Sequence, residues 1–208
     1  MEQQNTRATL LIRLRDKTDE SSWADFVEIY TPLLYAYCQK REIKPADIAD
    51  IVQNVFRSIS LAMKGFEYDP SKGRFKAWLF TVLRNAISSH YRKAGRAPVT
   101  TRETMIVERI EASPDGAEVA DWDHDYQLRL LNWGMGKVKE EVSEQAWTIF
   151  TETALKERAP EEVAQDLGMK KNAVSVTKYR VVQKLRQKLH SIDAERWEEE
   201  MISAEKKG

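Results

Sequence analysis

The strongest chemical signal in the sequence is a run of cations near its carboxyl end. Seven lysines and arginines lie between Lys170 and Lys188, and no acidic residue interrupts them. Cations at helical spacing can neutralise DNA phosphates and release their counterions. The run therefore predicts a DNA-contacting helix, although the same charges would also suit a solvated helix in a bundle.

The segment that leads into this run, Pro160–Val174, has the pattern of a helix-turn-helix. Ala164 is a small residue where two helices can cross closely, and Gly168 can supply the tight turn between them. Apolar residues at Val163, Leu167, Met169 and Val174 would fill the space between the helices. In this motif the second helix enters the major groove.

Helical periodicity of apolar residues also runs from Ser21 to Arg96 and predicts three long helices. Pro32 should kink or restart the first of these helices. The periodicity fades from about Ala97 to Asp125, where acids accumulate, and resumes near Tyr126. We therefore predict an all-α protein with two small helical domains, residues 1–96 and 126–192, joined by an acidic linker, residues 97–125, and followed by a charged tail, residues 193–208.

The bulk composition excludes several classes of protein. The formal net charge of +0 argues against a nonspecific nucleic-acid coat protein, and the single cysteine, Cys38, excludes a disulfide framework within the chain. The three histidines lack metal-ligand spacing, and no Gly-rich phosphate loop is present. No stretch of the sequence approaches the roughly 20 consecutive apolar residues that a membrane-spanning helix needs. We expect a cytoplasmic protein without catalytic activity, metal or cofactor.

Several motifs together resemble the extracytoplasmic-function (ECF) subfamily of bacterial RNA polymerase sigma factors. Residues 47–56 (DIADIVQNVF), residues 73–79 (GRFKAWL), Arg84-Asn85 and Tyr91-Arg92-Lys93 are similar to the second conserved region of that family. The helix-turn-helix is similar to its fourth region. The resemblance implies that residues 1–96 form the region-2-like domain and residues 126–192 the region-4-like domain.

The resemblance also implies partners and site residues. Core RNA polymerase would bind the polar side of the second helix, at Asp47, Asp50, Gln53, Asn54 and Arg57. The promoter −10 element would meet Arg74, Lys76, Arg84, Asn85, His90, Tyr91, Arg92 and Lys93. The −35 element would meet Lys171, Asn172, Ser175, Val176, Lys178, Tyr179 and Arg180. An anti-sigma factor is a further expected partner.

Two functions are therefore open from the sequence. The first is a sigma factor that directs polymerase to promoters and assists melting. The alternative is a stand-alone helix-turn-helix regulator, in which residues 21–96 would serve dimerisation or sensing. Dependence of promoter binding on core polymerase would distinguish the two functions.

Overall fold

The computed structural model describes residues 10–16, 18–63, 75–93 and 101–192. These residues form helices and turns, with no strand among them, so the all-α prediction is confirmed. The chain divides into two compact units, which we call the front unit, Leu11–Arg129, and the rear unit, residues 130–192 of the described chain.

The first four helices are one short helix and three long ones, α1 Leu10–Arg13, α2 Glu20–Lys40, α3 Pro45–Ala62 and α4 Phe75–Lys93. All of their residues except Leu10 belong to the front unit. Asp19 caps α2 by accepting a hydrogen bond from the Ser22 backbone N–H, and Pro45 occupies the favoured first position of α3. The expected restart at Pro32 is absent, because α2 continues through it.

The core of the front unit lies where α2, α3 and α4 meet. Phe26 is fully buried, with its ring 4.4 Å from that of Tyr30 and 6.0 Å from that of Phe75. The apolar faces predicted from periodicity supply the rest of this core, which includes Leu33, Leu34, Ile48, Ile51, Val55, Ile59, Leu79, Leu83 and Ile87. The opposite faces of α3 and α4 are thereby left for other contacts.

The described part of the predicted acidic linker, residues 101–125, is mostly helical. Its helices are α5, Thr101–Glu111, and the first part of α6, Gly116–Glu141. The helix α6 continues through Gly134 and Gly136 without interruption. In addition, α6 contributes residues to both units.

The rear unit continues with α7 Glu144–Phe150, a π-helical turn Thr151–Leu155, α8 Pro160–Asp166 and α9 Lys171–Ile192. Ser143 caps α7 through its side chain, and Pro160 occupies the first turn of α8. No helix in the described parts of the chain is both long and apolar enough to cross a membrane.

Candidate nucleic-acid and polymerase interfaces

The polar face of α3 is directed to solvent. Asp50, Gln53, Asn54 and Arg57 are exposed, while Ile48, Ile51, Val52 and Val55 on the other face are buried. This separation follows from the 3.6-residue period of the helix. Four of the five side chains predicted to contact polymerase therefore share an accessible surface.

The fifth side chain, Asp47, is half-buried and contacts α4. Its Oδ1 lies 3.2 Å from Nε2 of His90. The pair joins one residue predicted to bind polymerase with one predicted to bind the −10 element. The structure thus gives Asp47 and His90 a shared contact between α3 and α4.

The predicted −10 residues are divided between two faces of α4. Asn85 and His90 line a cavity of about 560 Å³ between α3 and α4, together with Asn54, Ser58 and Ser89. Tyr91 is partly exposed, and Arg92 is exposed. Arg74 and the side chain of Lys93 lie outside the described residues.

Arg84 is buried, which departs from its predicted role at the DNA surface. Its side chain is only 8% exposed, and its Nη1 lies 2.6 Å from Oε1 of Glu118 on α6. Its Nη2 donates to the backbone oxygens of Ile110, in the last turn of α5, and of Ala112, directly after this helix. In this structure Arg84 holds the segment that follows α5 and the start of α6 against α4.

Glu118, which the sequence analysis did not single out, also contacts the guanidinium of Arg41 and the phenol of Tyr37. Its Oε1 lies 2.6 Å from Nη2 of Arg41 and accepts a hydrogen bond of 2.6 Å from the Tyr37 hydroxyl. Burial alone would raise the pKa of Glu118. The hydrogen bonds from Tyr37 and Arg41 and the charges of Arg41 and Arg84 outweigh that effect, so the pKa is lowered.

Outer ion pairs continue this contact along α6. Lys76, another predicted −10 residue, places its Nζ 2.7 Å from Oδ2 of Asp123. Lys40 at the end of α2 lies 2.9 Å from Asp121 and 2.8 Å from Asp125. Hydrogen bonds to these two carboxylates raise the pKa of Lys40. Acids predicted to belong to a linker thus neutralise cations of α2 and α4.

An aromatic cluster lies beneath the ion pairs. Trp122 is 2% exposed, stacks on Phe80 with ring centroids 5.1 Å apart, and donates from Nε1 to the Lys76 backbone oxygen. Tyr126 is also buried, with its hydroxyl 3.2 Å from that of Tyr30. The four-residue spacing of Glu118, Trp122 and Tyr126 is the sequence signal that could have revealed this helix face.

In the rear unit, α8 and α9 form a two-helix corner. Ile149, Val163, Ala164 and Val174 are buried together, and Leu167 and Met169 pack against them. Gly168 has φ of +61°, a conformation that glycine adopts without steric cost, and the Met169 N–H donates to the Ala164 oxygen across the turn. The helix-turn-helix residues therefore adopt the geometry that their pattern predicted.

The outer face of α9 presents most of the predicted −35 residues. Asn172, Val176, Tyr179 and Arg180 are exposed, and Tyr179 is 64% exposed. Ser175 is partly exposed. Two predicted cations have internal partners, since Lys178 donates to the Thr153 backbone oxygen over 3.1 Å and Lys171 pairs with Glu161.

Comparisons with known proteins relate this chain to bacterial sigma factors. Residues 26–97 match the family model for sigma-70 region 2. The chain is 23% identical over 183 residues to the ECF RNA polymerase sigma factor BldN of Streptomyces coelicolor, an alignment that covers 87% of this chain and 65% of that protein. The chain thus spans slightly less than two thirds of that relative's length.

A second relative is the ECF RNA polymerase sigma factor RpoE of Cereibacter sphaeroides. It is 21% identical over 160 residues, which cover 77% of this chain and 82% of that protein. No solved structure gives a significant match. The resemblance to ECF sigma factors that the motifs predicted is confirmed. Sigma factors are not a class of enzymes.

Proposed function

We propose that this chain, which contains a sigma-70 region 2 and is related to ECF sigma factors, works as one of them. It directs core RNA polymerase to specific promoters and assists their melting. One observation carries the proposal. The region-2 match covers α3, whose polar face is exposed, and the same chain contains a helix-turn-helix whose second helix has an exposed outer face.

Polymerase binding is assigned to the polar face of α3. Asp50, Gln53, Asn54 and Arg57 offer both signs of charge and two amides on one accessible surface. Such a surface suits a polar partner and sets its register through hydrogen bonds and charge complementarity. Asp47 extends the surface toward α4.

Contact with the −10 element is assigned to α4 and to the residues that precede it in the sequence. The cavity beside Asn85 and His90 has the polar edges that can hydrogen-bond an unstacked base. Tyr91 offers a ring on which a base can stack, and Arg92 offers a cation for the backbone. Lys76 and Arg84, together with Arg74 and Lys93, complete the proposed set.

Contact with the −35 element is assigned to α9. Asn172 and Arg180 can pair with adenine and guanine edges respectively, and Val176 and Tyr179 offer apolar and aromatic contacts. Lys171, Ser175 and Lys178 lie beside this face. The proposal also includes an anti-sigma factor that binds and covers these surfaces. It further includes a cytoplasmic location, because polymerase and promoters are found there.

Reconstituted transcription tests the proposed function. Purified protein is combined with core polymerase and genomic fragments, and the 5′ ends of transcripts are mapped. We expect a small set of defined start sites that require the protein. Transcripts without defined starts, or promoter binding of equal strength without core polymerase, would contradict a sigma factor and favour the stand-alone regulator.

A further inference from the structure

Acidic residues of α5 and α6 contact cations of α2, of the turn between α2 and α3, and of α4. We call the segment Glu103–Asp125 the acidic cover. Glu103 contacts Lys44 at 2.6 Å, Glu118 contacts Arg41 and Arg84, and Asp123 contacts Lys76. Asp121 and Asp125 both contact Lys40. Each of these five acids therefore pairs with a cation of the front unit.

The covered cations are the kind that bind phosphate. A carboxylate and a phosphate oxygen accept the same charge-assisted hydrogen bonds from guanidinium and ammonium groups. Two of the covered cations, Lys76 and Arg84, belong to the proposed −10 set. A DNA backbone and the acidic cover would compete for their N–H groups.

From this competition we infer that the acidic cover is an intramolecular rival of single-stranded promoter DNA, and that it must leave α2 and α4 before the −10 strand can bind there. The inference rests on the proposed function, because it concerns the same DNA surface. It assigns the acidic segment a regulatory role in place of a passive connection between domains.

The interactions that hold the acidic cover in place favour the closed form, so we expect the cover to open only rarely. The Lys40 and Lys44 side chains in its outer ion pairs are 44% and 61% exposed, so these pairs stabilise the closed form weakly. Burial of Trp122, Tyr126 and Ile110 provides the larger part of the stabilisation. Apparent DNA affinity then falls in proportion to the fraction of molecules that are open.

Neutralising the outer acids tests this competition in the full-length protein. Asp121→Asn, Asp123→Asn and Asp125→Asn are combined, and Glu118 is kept so that Arg41 and Arg84 retain their buried partner. The probe is a fluorescein-labelled single-stranded DNA of 20 nucleotides of random sequence, with binding followed by anisotropy without polymerase. We expect binding to tighten roughly tenfold, because three acids that compete with phosphate are removed.

A charge-matched variant controls for the change in net charge. Glu20→Gln, Glu140→Gln and Glu144→Gln remove three exposed acids outside the acidic cover. We expect this control to bind the DNA within twofold of the parent protein. Equal tightening by both variants, or by neither, would overturn the inference.

A reversible crosslink gives a second test in the functional complex. Lys40→Cys and Asp121→Cys place two exposed thiols where an ion pair joins α2 to α6, and a bismaleimide with an internal disulfide bridges them. Cys38 is spared because it is buried, which raises the pKa of its thiol to about 12. Transcription with core polymerase is measured before and after the bridge is cleaved with dithiothreitol.

We expect the bridged protein to lose at least nine tenths of start-specific transcription and to regain it after cleavage. The single variant Lys40→Cys, treated with the same reagent, should keep its activity. Full transcription by the bridged protein would overturn the inference while leaving the proposed function intact. Absence of defined starts with the unbridged parent would instead contradict the proposed function.

Discussion

At the scale of single residues, Glu118 is the centre of a buried ionic cluster that joins side chains from several parts of the front unit. One carboxylate oxygen receives two guanidinium groups and a phenol, and its side chain is 7% exposed. Removing one partner from a buried ionic cluster leaves the others desolvated without compensation. The stability of the front unit should therefore depend strongly on this side chain.

Glu118→Gln is expected to destabilise the protein by about 3 kcal/mol, because Arg41 and Arg84 would stay buried without a counter-charge. Glu108→Gln, at an exposed position on the neighbouring α5, is the matched control and should change stability by less than about 0.5 kcal/mol. Urea unfolding followed by circular dichroism measures both. Equal stability of the two variants would show that the cluster contributes little.

The lowered pKa of Glu118 predicts an acid-sensitive contribution to stability. Because its folded pKa lies below the unfolded value, this contribution is present above about pH 4.3 and is lost as the pH falls through the folded pKa. The difference in unfolding free energy between the parent and Glu118→Gln should shrink between pH 6 and pH 3. A constant difference over that range would contradict this linkage.

At the scale of elements, α6 approaches α9 closely within the rear unit at Gly134. A Cβ atom placed on Gly134 would lie 2.7 Å from Leu189 Cδ2 and 3.0 Å from Leu185 Cδ1. Leu189 is 1% exposed, so its surroundings resist its movement. Gly136, one half-turn further, has no such neighbour.

These two glycines give a matched pair of substitutions in one helix. Gly136→Ala should stabilise the protein by about 0.5–1 kcal/mol, since alanine favours a helix interior over glycine. Gly134→Ala gains the same helical preference but overpacks the contact with α9, which costs about 1–3 kcal/mol. Thermal unfolding should rank Gly136→Ala above the parent and Gly134→Ala below it; the reverse order would show that the two leucines yield freely.

The sequence predicted the elements better than it predicted the contacts between them. Periodic apolar residues identified α2, α3 and α4, and the uninterrupted run of cations identified α9. The small residue and glycine of the helix-turn-helix identified its corner. The full length of α5 and of early α6 was not predicted, because acids dominate there and the apolar face is narrow. Arg84 has the chemical type of a phosphate ligand, but the residue type alone cannot show that Glu118 lies beside it.

At the scale of the whole molecule, the residues proposed to bind polymerase and those proposed to bind the −35 element belong to different units. Asp50 on α3 is exposed in the front unit, and Arg180 on α9 is exposed in the rear unit. Both side chains are therefore accessible to a partner without a change in packing. A substitution on either surface should therefore remove its binding function without unfolding either unit.

Asp50→Ala and Arg180→Ala should lower function by different routes. We expect Asp50→Ala to weaken binding to core polymerase by roughly 3- to 10-fold, as for a single charge at a polar interface. Arg180→Ala should leave that binding unchanged and weaken promoter binding by the holoenzyme by roughly 5- to 100-fold.

Polymerase binding is measured by titrating labelled protein with core enzyme, and promoter binding by mobility shift with the assembled holoenzyme. Circular dichroism should show both variants folded like the parent. A common loss of folding would mean that the two side chains are structural, and a swapped pattern of defects would contradict the assignment of the surfaces.

Because Trp122 is buried between α6 and α4, its fluorescence emission should report whether these two helices remain in contact. Its indole is stacked on Phe80 and bonded to a backbone oxygen, so any departure of α6 from α4 would expose it to water and shift its emission to longer wavelength. The difference between the emission spectra of the parent and of Trp122→Phe would isolate this signal from the other five tryptophans. The moment at which the front unit uncovers during initiation could then be timed by stopped-flow fluorescence without an attached dye.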